Sequence, residues 1–413
     1  MKINTQYFCL IILFFFISTL KAQLNTVGVP FILSLPPSAN LNAAGGAFAA
    51  LPTDDPFGFY YNPAQLGQFS QNSNAAIQFD RRNWTAFGLE DWHFFNLGIS
   101  TGYNFKNINE KLPLSIGVGY MIGYWSLGEN IWTDETGAEL GTFKSREYYN
   151  AFGVGACYNI FLKVSVGLTY KHINSNLGQN KIGDVDSNSG KSNAFDFGLM
   201  LNIPFTKLFN PDRLNREGLY PILELNYGYS ILNVGDEIYY LDKSQADPLP
   251  RFARLGNAIK FGLGKRTNGI NIKIFTFEYA SESNDILVTR DTSGAFKYDD
   301  IFGDISFFNS LFLWDDGNKV IVRRGLSLDL YEILQFSMGF IDQPDYQQVK
   351  PFGLAVSVKG ILKSISMFSG KPGLDNFINH MDVKFAYTNL NLNSNDPLDN
   401  KNFWGINFTV YGY

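Results

Sequence analysis

The chain has 413 residues and a net charge of −5 with no basic cluster, which removes the electrostatic footprint that nucleic-acid binding needs. Charged residues are only 17% and aromatics 16%, with 39 glycines. With a mean hydropathy of −0.08, that mix fits alternating β-structure rather than a helical membrane protein.

The first element is the apolar run Phe8–Ile17, preceded by Lys2 and followed by Ser18–Ala22. It is shorter than the roughly 20 apolar residues that span a bilayer. It reads as a signal peptide over 1–22 with cleavage after Ala22, the alternative being an N-terminal anchor. Cys9 would leave with it, and Cys157 alone allows no intramolecular disulfide in the mature chain.

Residues 23–70 form a second unit. AAGGAFAAL, with Gly45 and Gly46, is too small-sided to build a core and implies close backbone packing inside something larger. Asp54-Asp55-Pro56 reads as a turn. Asn62-Pro63-Ala64 opens a capped helical turn, since Asn is a good N-cap and Pro suits the first helical position, and Gly67 is expected to end it.

Residues 71–413 repeat one device. Lys163–Lys171 places Val164, Val166, Leu168 and Tyr170 on one face against Lys163, Ser165, Gly167 and Thr169. The stretches from Leu114 and from Asn193 alternate in the same way, and similar runs begin near Ala75, Phe94, Arg146, Pro221, Gly256, Ile270, Val320, Ile333, Phe352, Met381 and Asn402. Many of these fourteen or so runs reach the 9–11 residues of a tilted membrane strand. A soluble sandwich or propeller would load the second face with Lys and Glu; here it carries mostly Gly, Ser, Asn and Thr. The fold class read from this pattern is all-β: a transmembrane antiparallel barrel of about fourteen strands in the outer membrane, preceded by a short N-terminal helical segment, the alternative being a large soluble sandwich or propeller. Connections are expected to alternate, short at 159–163 and 267–269 and long at 129–145, 172–191, 239–255 and 282–319. The last and longest contains Phe302, Phe307, Phe308, Phe312 and Trp314, read either as a partner-binding loop or as a lid or membrane-surface contact. The final strand, Asn402–Tyr413, ends on an aromatic residue.

The stretch VPFILSLPPSANLNAAGGAFAALPTDDPFGFYYNPAQLG resembles the N-terminal signature of the PorV/PorQ proteins, which are similar to FadL-type outer-membrane barrels. The matching residues are Ala43–Ala47 with Gly45 and Gly46, Asp54 and Asp55, and Phe57–Ala64 with Asn62, Pro63 and Ala64. The usual Gly-Met-Gly-Gly form is Ala-Ala-Gly-Gly here. GYSILNVGDEI, Gly228–Ile238, is a second, shorter match. The resemblance implies a barrel plugged or lined by its N-terminal segment. It implies a protein-binding accessory of type IX secretion, with secretion-system proteins or cargo signal domains as partners; the alternative is FadL-like transport of a hydrophobic small ligand.

No catalytic constellation, metal site or cofactor motif emerges. His93, His172 and His380 are far apart, and the acids Asp299, Asp300, Asp304, Asp315 and Asp316 lack the order of a calcium loop. Lys163, Asp196, Glu224, Lys260, Asp329, Asp382 and Lys384 fall on inward parity, and their mixed signs suggest ion pairs across the lumen. Outer-membrane lipid is the remaining expected partner.

Overall fold

The computed structural model describes residues 29–84, 92–178, 189–206, 218–240, 242–267, 270–290, 295–310, 320–343, 348–369, 380–392 and 401–412. The signal peptide read over 1–22 lies outside them, as do Phe312 and Trp314. The strands among the described residues are Asn74–Trp84 (β1), Trp92–Asn104 (β2), Leu114–Thr133 (β3), Glu139–Asn159 (β4), Lys163–Asn176 (β5), Ser189–Ile203 (β6), Gly218–Gly235 (β7), Phe252–Thr267 (β8), Ile270–Ile286 (β9), Val288–Arg290 (β10), Phe296–Tyr298 (β11), Ile321–Leu330 (β12), Leu334–Asp342 (β13), Val349–Ser357 (β14), Met381–Leu392 (β15) and Lys401–Tyr411 (β16). Helices are short: Ala39–Ala43 (α1), Gly58–Tyr61 (α2), Gln65–Phe69 (α3) and Val358–Ser369 (α4).

Fourteen strands close into one antiparallel barrel, with β9 beside β12 and β1 sealed against β16. β10 and β11 form a separate hairpin within the β9–β12 connection. Closure leaves no unpaired edge, the condition for strands in hydrocarbon.

The alternation read from the sequence is the alternation of the wall. Val164, Val166, Leu168 and Tyr170 are exposed while Ser165 and Thr169 are buried; Phe195, Phe197 and Leu199 are exposed while Asp196 and Asn202 are buried. Apolar residues face outward and polar ones inward, the reverse of a soluble protein and the arrangement of a barrel that spans a bilayer.

The connections 160–162 and 331–333 lie at one end, the turn end, together with α4, which follows β14. The opposite, loop end holds 134–138 and, among the described residues, 236–240, 242–251, β10, β11 and 299–310. Two expected loops are shorter than read. β3 and β4 stay paired as far as Thr133↔Glu139, past a register shift after Ser126, so most of 129–145 is a hairpin standing beyond the wall. Its residues are largely exposed on both faces, so no buried face marks it in the sequence. β5 likewise continues to Asn176 and β6 begins at Ser189, shortening the expected loop 172–191.

Candidate functional site

The N-terminal segment from Pro30 to Ser73 lies inside the barrel. Its side chains fill one buried cluster with inward residues of the wall, among them Phe94, Met121, Tyr149, Ile173 and Ala258. A barrel of fourteen strands is too wide to be packed by its own side chains, and the segment supplies the missing core.

Asn62 anchors it. Its Oδ1 accepts from Ala64 N (3.0 Å), holding the Asn-Pro-Ala turn. Its Nδ2 reaches the carbonyls of Ala49 (2.7 Å), Leu199 (3.1 Å) and Tyr229 (3.3 Å), joining the segment to itself and to β6 and β7. The helical turn expected over Asn62–Gly67 is in fact α3, which runs through Gly67 to Phe69. Gly67 is glycine for clearance rather than to stop the helix: a Cβ there would lie 2.5 Å from the backbone of Ala156 on β4. The wall reciprocates. A Cβ on Gly198 would overlap Asn62 Oδ1, and one on Gly167 would overlap the carbonyl of Pro63. Pro63 and Ala64 thus sit where the wall has no side chains.

Gly45 and Gly46 both hold φ of +69°, a left-handed conformation that favours glycine. At Gly45 a Cβ would also stand 2.8 Å from Arg324 O. Arg323 donates from Nη1 to Gly45 O (3.1 Å), and Glu282 accepts from Ala49 N (2.8 Å).

The adjacent acids have opposite surroundings. Asp54 is half-exposed, 3.8 Å from Lys384 Nζ, and accepts from Tyr411 OH (3.2 Å). The Lys384 ammonium holds its carboxyl below the ordinary value. Asp55 is buried; it accepts from Ser38 Oγ (2.6 Å) and Phe57 N (2.9 Å). Gln78 donates both to Asp55 (3.2 Å) and to Asp80 (3.1 Å), whose Oδ2 accepts from Ala39 N (2.5 Å). Burial pushes the Asp55 carboxyl up to about 6. Ser38 also caps α1, accepting from Leu41 N (3.2 Å).

Among the described residues, wall charges pair along the wall or, as Lys384 does with Asp54, with the inner segment rather than across the lumen, because that segment occupies the centre. Asp196 pairs with Lys171 on the adjacent strand (2.8 Å), Lys260 with Glu278 (2.5 Å) and Arg254 with Glu282 (3.6 Å). Glu224 accepts from Asn202 (3.1 Å), and Asp382 from Ser357 Oγ (2.8 Å). The second sequence match gains a physical role here. Asn233, at φ +59°, accepts from Lys171 Nζ (2.7 Å) and donates from N to Asp196 (2.7 Å) and from Nδ2 to Pro250 O (2.7 Å). It ties three strands and a loop beside the β6–β7 register shift after Phe195.

Toward the loop end the segment thins to a 3-10 turn, Phe31–Ser34. Ile32 and Leu33 are buried, and the Phe31 ring lies 5.5 Å from that of Trp125, which in turn meets Trp92 edge-on at 5.7 Å. Three polar contacts tie this arm: Ile32 N to Glu147 (3.0 Å), Val29 N to Pro248 O (3.1 Å), and Tyr60 OH to Leu33 O (2.9 Å). Toward the turn end a cavity of about 570 Å³ opens beneath the segment, lined by Lys163, Lys260, Glu278, Asp329 and Lys384 among others, with Lys359 and Lys363 contributed by α4. Burial, then the charge of Lys363, lowers Lys359 to about 8.

Of the expected aromatic loop, Phe302, Phe307 and Phe308 form a chain of ring contacts that ends on Tyr229 of β7 (5.1 Å from Phe302). Asp300 accepts from the backbone of Phe302 and Gly303 and so shapes this loop. No group of three metal-binding side chains occurs among the described residues. The histidines stay apart: His93 faces Tyr124, His172 meets Asn193 (3.0 Å) and His380 meets Tyr411 O (2.9 Å). Ser38, Asp80, Glu147, Arg254, Glu282 and Arg323 were not singled out in the sequence. Five of them are charged residues on the inward parity of a strand, a signal that could have flagged them.

No family model and no curated protein matches the chain. Among solved structures it is similar to a FadL homologue of Pseudomonas aeruginosa, at 8% identity over 94% of this chain and 100% of that one, with a TM-score of 0.42. It is similar to the P. putida toluene transporter TodX, at 11% identity over 91% and 98%, with a TM-score of 0.41. Outer-membrane phospholipase A of Escherichia coli matches at 10% identity over 90% and 98%, with a TM-score of 0.24. At this level a likeness carries nothing about ligand or partner.

Proposed function

We propose that the protein is an integral outer-membrane barrel that admits apolar small molecules, and that the arm Val29–Leu35 is the part that yields to them. The observation that carries this reading is the place of Ile32 and Leu33. They are buried in an aromatic and aliphatic cluster at the loop end of the lumen that includes Trp125, Tyr149 and Ile173, while Phe31, half-exposed, rests against Trp125 at its edge. An apolar solute that buries similar area gains what the arm loses, roughly 1.5–3 kcal/mol per large apolar side chain. The rest of the segment then serves as a fixed plug, and the polar cavity below it as the exit vestibule.

The second reading, a protein-binding accessory of type IX secretion, comes from the N-terminal resemblance. What favours it is the filled lumen: a barrel closed by its own core can work through its rim alone. One preparation separates the two. The tagged protein is drawn from its native membrane in mild detergent, and protein and lipid mass spectrometry are run on the same eluate. A retained apolar molecule, lost on replacing Tyr149 by Glu, supports the channel. A stoichiometric secretion component with no apolar ligand overturns it.

A further inference from the structure

The described part of the aromatic loop, Ile301–Ser310, lies against the outer face of the wall. Glu282 and Arg254 point inward, so their neighbours Ser281, Ser283 and Leu255 point outward, and the register aligns Leu255 with Tyr229 and Ser283 with Leu255 and Val322. On most strands such outward residues are exposed and apolar. Here the outward face of β8 and β9 includes Asn257, Ser281 and Ser283, and all three are buried. The segment Ile301–Ser310 lies against this face. Ile305 packs with Leu287, Leu255 and Val322 in a second core that lies outside the barrel, flanked by Tyr227, Tyr229 and Ile231. Asn257 Nδ2 donates to Ser310 O (3.0 Å), and the Phe302 ring rests on Tyr229. The other side of the segment faces away from the wall, with Ile301 56%, Phe307 42% and Phe308 72% exposed.

We propose that Ile301–Ser310 is a lipid-facing sleeve: it covers a polar patch of the outer wall and presents Ile301, Phe307 and Phe308 to the acyl chains of the bilayer. The inference rests on the reading of the chain as a membrane barrel. Continuity selects lipid as the occupant. The sleeve packs directly on Tyr229 and Ile231, outward residues that belong to the same apolar surface as Leu199 and Phe197 beside them. Bare wall at Asn257, Ser281 and Ser283 would set hydroxyls and an amide against hydrocarbon, where they find no partners. Loop folding replaces that surface with rings, which suit the edge of a bilayer.

The test is spin-label accessibility on the full chain reconstituted in phosphatidylcholine vesicles, with Cys9 and Cys157 replaced by Ala. Single labels go at Phe308→Cys and Ile301→Cys, with Phe261→Cys on the exposed face of β8 as the lipid standard and Glu135→Cys at the β3–β4 tip as the water standard. The sleeve predicts that labels at 301 and 308 relax with molecular oxygen as the Phe261→Cys label does, and at least threefold less with a water-soluble nickel chelate than the Glu135→Cys label. Chelate accessibility at both sites equal to the water standard overturns the sleeve. Shielding from both reagents also overturns it, since protein would then be the occupant. If the Phe261→Cys standard itself is open to the chelate, the membrane reading fails first, which separates the two failures.

Discussion

Two stretches of the inner segment meet the same barrel in different ways. Asn62–Ser70 is fitted to bare backbone: Pro63 against Gly167, Asn62 against Gly198, Gly67 against Ala156. Val29–Leu35 is held by apolar side chains and three hydrogen bonds. Backbone-to-backbone fit has no intermediate position, because any rise meets hard contacts with nothing gained. Side chains in an apolar nest can be exchanged for other apolar matter at little net cost. The contrast locates rigidity toward the turn end and exchange toward the loop end. Asp55 and Ser38, which join the two, form the hinge line between them.

Four perturbations bear on this contrast, from the strongest to the weakest. Gly198→Val should break the fitted stretch outright. Its side chain collides with Asn62 and Ala64, and overpacking of this kind costs about 3 kcal/mol or more; thermal unfolding in detergent, followed by circular dichroism, should show a barrel with a sharply lowered midpoint. Asn62→Ala strips the acceptor from Ala64 N and strands three carbonyls, for about 2 kcal/mol. Denaturant midpoints measure it, and a loss below a few tenths of that would mean the turn holds itself.

The joint is tested by pH. Asp55 has its carboxyl raised by burial from 3.8 to about 6 in the folded chain. Between those values the folded state binds more protons than the unfolded one, so this group's contribution to stability falls as pH rises from about 4 through 6. Asp55→Asn should flatten that slope by on the order of 1 kcal/mol, allowing for the hydrogen bonds it retains from Gln78; unfolding midpoints at pH 4 and pH 7 read it directly. Smallest is Glu147→Ala, which removes the acceptor of Ile32 N and of Ser175 Oγ for about 1 kcal/mol and should loosen the arm while leaving 62–70 in place. Limited proteolysis should then cut within 29–35 while 62–70 stays protected.

Much of the wall was legible in the sequence because strand parity is a local signal. Fourteen alternating runs became fourteen barrel strands, and Val164, Val166, Leu168 and Tyr170 face outward as read. What escaped depends on partners far along the chain. Gly67 looks like a helix stop until Ala156 is placed beside it. Lys171 and Asp196 pair along the wall, a choice made by the segment that fills the lumen. Asp55, Gln78, Asp80 and Ser38 come together only after the chain enters the barrel. α4 went unread because it turns Lys359, Lys363 and Ser366 toward the protein and leaves Ile361 and Ile365 exposed, the reverse of an ordinary amphipathic helix. The aromatic loop was visible as composition, yet its seat on the outer wall depends on the polar patch at Asn257, Ser281 and Ser283.

The most direct measurement is amide hydrogen exchange of the intact protein in lipid vesicles, read separately over 29–35 and 62–70, with and without a saturating apolar solute such as a long-chain alcohol. The account predicts slow exchange at 62–70 under both conditions, faster exchange at 29–35, and a further rise at 29–35 alone when the solute is added. Equal protection of the two stretches, unchanged by the solute, would contradict it.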